Sequence, residues 1–83
     1  MKLIYIQRDH KDRANRVHDF SCQEAKAGHR WASGNGFGDQ ANWDLVECET
    51  RQDLINELIK VYGQEEWDDY LSEHIKWEPC VKI

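Results

Sequence analysis

Four histidines (His10, His18, His29, His74) and three cysteines (Cys22, Cys48, Cys80) are a generous supply of ligands and nucleophiles for 83 residues. Tetrahedral zinc wants four such groups, usually delivered as short-spaced pairs that hold two ligands on one turn. His18 and Cys22, with three residues between them, form one such pair, and no second is visible, so the spacing predicts neither a metal centre nor a cofactor. Cys22 falls in the first turn of a predicted helix, where the helix dipole favours thiolate, and His18 or His29 is a conceivable base for it. A small thiol- or histidine-dependent enzyme is therefore one reading. The plainer reading is a helix residue facing a sheet, and the chain is expected not to be an enzyme. The cysteines are odd in number, lie 26 and 32 residues apart and contain no CxxC pair, so reduced thiols rather than a secreted disulfide framework are expected. Gly34-Asn35-Gly36-Phe37-Gly38 resembles a phosphate loop only in composition. It follows a predicted helix and leads into a strand, the reverse of a phosphate-cradling order, and reads as a connector.

Charge supplies two opposed candidates. Arg8, Lys11, Arg13 and Arg16, with His10 and His18 among them, form a basic cluster that could contact phosphates, although Asp9, Asp12 and Asp19 interrupt it. No aromatic-glycine RNA signature accompanies it. Residues 43–83 are the opposite, with eleven acidic against four basic groups, whereas residues 1–42 hold seven basic and five acidic. Glu65, Glu66, Asp68, Asp69 and Glu73 concentrate the negative charge, and Trp67, Tyr70 and Trp77 lie among them as aromatic anchors of the kind enriched at interface hot spots. Such a surface suits an arginine-rich groove that ordinarily holds nucleic acid. The competing reading puts Trp67 and Tyr70 in the core and leaves the carboxylates facing water.

These residues need elements to position them. Lys2-Leu3-Ile4-Tyr5-Ile6-Gln7 reads as a strand buried on both faces, and Ala14–Phe20 as its hairpin partner beyond a polar turn. Ser21-Cys22-Gln23-Glu24 has the form of a capping box opening a helix to about Ser33, with Cys22, Ala25, His29 and Ala32 on one stripe. Trp43–Cys48 alternates as a strand, and Thr50-Arg51-Gln52-Asp53 caps a second helix with Leu54, Ile55, Leu58, Ile59 and Tyr62 on one face and a stop at Gly63. Trp67, Tyr70, Leu71, His74 and Ile75 space a third helix. Trp77, Val81 and Ile83 suggest a closing strand that Pro79 confines to an edge or a bulge. The order β-β-α-β-α-α-β predicts one α+β domain over residues 1–83, a mainly antiparallel sheet of about four strands with helices on one face.

A net charge of −5 argues against general attraction to nucleic acid or anionic membrane. A chain of this length buries only about 60–65% of its unfolded surface, which excludes a deep cleft between lobes. No apolar run approaches the roughly 18 residues of a membrane span or the form of a signal peptide, so the cytoplasm is the expected compartment. In general character the chain resembles the small, acidic, single-domain accessory proteins of bacteriophages, including anti-CRISPR proteins and other host-defence inhibitors. The resemblance rests on size, on the hairpin-helix-strand opening and on pieces such as Phe20-Ser21-Cys22-Gln23-Glu24-Ala25 and Asn42-Trp43-Asp44-Leu45-Val46-Glu47. It implies a non-catalytic inhibitor. The expected function is therefore binding of a protein partner, itself a nucleic-acid-binding protein or complex, through residues 64–78. Direct nucleic-acid binding through residues 8–18 is the alternative, and a homodimer is a further way to cover exposed aromatics.

Overall fold

In the computed structural model, which describes residues 1–8, 14–26 and 42–83, the apolar run after Met1 becomes the central strand β1 (Lys2–Gln7). It pairs antiparallel with β2 (Asn15–Asp19), Leu3 opposite Asp19 and Ile6 opposite Arg16, completing the expected hairpin. On its other side it pairs antiparallel with β3 (Asn42–Glu47), Ile4 opposite Leu45 and Tyr5 opposite Asp44. A short β4 (Ile75–Trp77) joins β2 in parallel, so the sheet is mixed and ordered β3-β1-β2-β4. Leu3, Ile4, Tyr5 and Ile6 are all fully buried. Only a strand covered on both faces needs an uninterrupted apolar sequence.

The two covers differ. On the first face Leu3, Tyr5 and Val17 pack with Cys48, Leu54, Leu58, Leu71 and Val81. Three of these come from helix α1 (Arg51–Tyr62) and from α2, which runs through Gln64–Glu66, Trp67–Leu71 and Ser72–His74. On the second face Ile4 and Ile6 pack with Ala25, Phe20 and Cys22. The expected helix after Ser21 is described only at residues 23–26, and its continuation, with Gly28, His29 and the glycine-rich loop to residue 41, lies outside the described residues. Its start differs from the predicted box. The Ser21 hydroxyl donates to Asp19 Oδ2 (3.0 Å) and the Ser21 N–H to Oδ1 (3.2 Å), so the Asp19 carboxylate organises the turn that leads into Gln23. No helix among the described residues is long and apolar enough to cross a membrane.

β3 alternates as its sequence predicts, Trp43, Leu45 and Glu47 outward and Asp44, Val46 and Cys48 towards the helices. Asp44 accepts a hydrogen bond from the Tyr62 hydroxyl (3.1 Å), and the Tyr62 ring meets Tyr5 edge-on at 6.0 Å. The Tyr5 hydroxyl is buried and, among the described residues, has no hydrogen-bond partner. Burial also pushes its ionisation far above the ordinary phenol range, with Tyr62 and Asp44 adding to the effect. A desolvated, unpaired hydroxyl is destabilising, so Tyr5→Phe, which keeps the ring and removes the oxygen, is expected to raise stability by about 1 kcal/mol. A higher urea midpoint at unchanged slope is the check.

The capping box of α1 forms as predicted. Thr50 Oγ1 accepts from the Asp53 N–H (3.4 Å), and Asp53 Oδ2 accepts from the N–H groups of Glu49 (2.8 Å) and Thr50 (3.0 Å). Those backbone donors hold the Asp53 carboxyl below its ordinary range. Its contribution is therefore present above the unfolded carboxyl's pKa and is lost as pH falls through the lower, folded value. Thr50→Ala is expected to destabilise the domain by ~1 kcal/mol, seen as a lower Tm. In Asp53→Asn the acid limb of the stability profile should flatten. The helix ends at Gly63, whose φ of +101° suits a residue without Cβ, and the Gly63 N–H reaches the Ile59 carbonyl (2.8 Å).

Two expectations at the C-terminal end are corrected. The closing strand is Ile75–Trp77 rather than a run through Ile83, because Pro79 lacks the N–H to continue a ladder. The Glu78 N–H makes the last contact, to the Val17 carbonyl (3.0 Å), and the chain then turns with the Val81 N–H on the Glu78 carbonyl (3.0 Å), which seats Val81 in the core. Ile75, expected on the third helix, belongs to β4.

Candidate functional site

The α2 sequence, read at ordinary helical spacing, directs Trp67, Tyr70, Leu71 and His74 inward together. The structure does not keep that stripe. Trp67–Leu71 is a π-helical turn in which the Ser72 N–H reaches back five residues to the Trp67 carbonyl. The wider turn keeps Leu71 buried and Trp67 packed against the core edge, and rotates Tyr70 outward to 45% exposure. His74 is turned out with it. The two rings stack at 4.2 Å with 13° between their planes, and His74 Nδ1–H donates to the Tyr70 carbonyl (2.8 Å).

Glu65, Glu66, Asp68, Asp69 and Glu73 are all exposed around this pair. Asp68 accepts from the Gln64 side-chain amide (2.9 Å), and among the described residues no cation pairs with any of the five. Carboxylates in the first turns of a helix lie where its dipole favours them, which is how the segment tolerates the concentration. Trp77 is placed differently. It sits half-buried on β4, beneath the Arg51 guanidinium at 4.9 Å from the ring centroid, and packs against the core.

The basic cluster is only partly assembled. Arg8 is exposed at the end of β1, in left-handed backbone (φ 54°), with its N–H on the Asn15 side chain (3.0 Å). Lys11 and Arg13, like His10, lie outside the described residues. Arg16 departs from expectation. It is 9% exposed and its Nε donates to Glu78 Oε1 at 2.7 Å, an ion pair between β2 and the turn after β4 that commits its charge inside the protein.

Folding also assembles a cluster that spacing does not reveal. His18, on β2 and 1% exposed, has its Nδ1 3.6 Å from Cys80 Sγ, although 62 residues separate them. Cys22, at the start of the helical turn, completes a group whose ligand atoms lie within 4.8 Å of one another. The Asp19 N–H donates to Cys80 Sγ (3.3 Å). Burial raises the Cys80 thiol's pKa and the neighbouring Cys22 thiol adds to the rise, while the Asp19 N–H opposes it. The parallel pairing of β4 on β2 carries Cys80 there, a long-range pairing with no local signal. Cys48 lies on the opposite face as a buried core thiol against the Val46 carbonyl (3.5 Å).

No protein-family model, curated protein or solved structure matches the chain.

Proposed function

We propose that this protein is a non-catalytic binding module that docks the acidic, aromatic side of α2 into a basic, nucleic-acid-binding surface of a partner protein and blocks it. The observation that supports this reading is the π turn. It gives up an inward aromatic, a Tyr that helical spacing assigns to the core, and presents it on His74 in the middle of five exposed carboxylates. An aromatic ring within a charged rim is the arrangement of an interface hot spot, and the single-sign field around it speeds encounter with an oppositely charged surface. Inhibition follows from occupancy: arginines engaged by Glu65, Glu66, Asp68 and Asp69 are not available to phosphates. The inhibitor class that the sequence resembles fits this mode of action.

The other candidate occupants fit less well. A two-fold contact through α2 sets like charges against each other. Direct nucleic-acid binding through residues 8–18 loses Arg16 to Glu78. The test is a tagged pull-down from nuclease-treated bacterial lysate, followed by elution with a DNA oligonucleotide. A discrete protein that survives nuclease and is displaced by the oligonucleotide supports the reading. Loss of every bound species on nuclease treatment, or a partner indifferent to the oligonucleotide, overturns it.

A further inference from the structure

We propose that His18, Cys22 and Cys80 bind one thiophilic divalent cation, Zn²⁺ under cellular conditions, on the sheet face opposite α1 and α2. The site is independent of the α2 surface. Its geometry is that of a coordination shell: with Zn–S of about 2.3 Å and Zn–N of about 2.05 Å at the tetrahedral angle, the two donor atoms stand about 3.6 Å apart. His18 Nδ1 and Cys80 Sγ are 3.6 Å apart, and Cys22 Sγ lies within 4.8 Å of Cys80 Sγ and of a His18 ring nitrogen. Two thiolates and an imidazole form a donor set that selects zinc over the hard cations.

The surroundings match what such ligands need. The Asp19 N–H on Cys80 Sγ is a donor that stabilises thiolate charge. Glu24 and Glu78 each bring a carboxylate oxygen within 4.8 Å of a His18 ring nitrogen, so negative charge stands beside the imidazole. Glu78 is itself steadied by Arg16 Nε. The ligands come from β2, from the turn after β4 and from the entry to the helical segment, so one cation would tie three elements together. Zn²⁺ displaces one proton from each thiol to solvent, water fills the fourth position, and no oxidant or reductant takes part. With His18 neutral, two thiolates cancel the ion's charge, as a half-buried site requires.

The test uses the full-length chain without a histidine tag, reduced with a phosphine, and Co²⁺ as the probe. The expected result is saturation at one equivalent, with a thiolate-to-cobalt charge-transfer band of two-sulfur intensity, tetrahedral visible bands and their loss on adding Zn²⁺. Cys22→Ser and Cys80→Ser, each checked for fold by circular dichroism, should weaken uptake more than tenfold, whereas Cys48→Ala should leave the band in place. Absence of a charge-transfer band in the reduced wild-type chain overturns the proposal. A band unchanged in Cys80→Ser does so too, as does a Cys22–Cys80 disulfide whose reduction yields no metal uptake.

Discussion

Replacing Glu65, Glu66, Asp68 and Asp69 together by lysine is expected to weaken binding of the captured partner by about 3 kcal/mol, roughly 100-fold in Kd. Each carboxylate is exposed and, among the described residues, pairs with no cation, so its charge faces a partner and its reversal disturbs no ion pair of the described fold. Rim charges are individually small, typically ~0.5–1 kcal/mol, but reversal replaces four attractions by four repulsions directed at one surface. The loss should be largest at low ionic strength and shrink as salt screens both chains. Lysines in the first turns of α2 oppose the helix dipole, so Glu→Gln and Asp→Asn at the same positions form the companion variant. The neutral set should give an intermediate loss while keeping the wild-type Tm more closely. Calorimetric titration with the purified partner measures both.

The second large effect is on the core. Leu58→Ala is expected to destabilise the domain by about 3 kcal/mol, because Leu58 is fully buried where α1 meets Leu3, Tyr5 and Val17. In a domain of this size that corresponds to a fall in Tm of roughly 12–24 °C. Val61→Ala, one turn on but half exposed, should change Tm by no more than a degree or two and controls for helix propensity. Chemical unfolding at constant slope would show that the loss is a cavity and not a change in the unfolded ensemble.

What the sequence makes legible follows from which interactions are local. The strand at Lys2–Gln7, the Thr50–Asp53 box and the Leu54/Leu58 face depend on neighbours within a few positions, and each stands where its pattern places it. The alternation of β3 is legible for the same reason. For Tyr70 the sequence leaves two readings, an anchor among the carboxylates or a core ring, because a π turn adds one residue to the helical repeat and nothing in Trp67-Asp68-Asp69-Tyr70-Leu71 separates that turn from an ordinary one. Arg16 and Cys80 were not legible, because their partners come from the parallel pairing of β2 with β4, across about 60 residues. His18 and Cys22 were a visible pair. Their companion was hidden in a segment that Pro79 turns out of the sheet, the position where a strand was expected to continue.

The measurement that bears most directly on the proposed binding mode is photo-crosslinking from the exposed ring position. With p-benzoylphenylalanine in place of Tyr70, irradiation in nuclease-treated bacterial lysate and mass spectrometry of the adduct identify what touches the π turn. The account predicts one dominant protein adduct, joined through a peptide rich in arginine and lysine, and its disappearance when Glu65, Glu66, Asp68 and Asp69 are reversed. A partner that crosslinks from Arg8 but not from Tyr70, or an adduct that survives the reversal, would place the binding surface elsewhere and contradict the account.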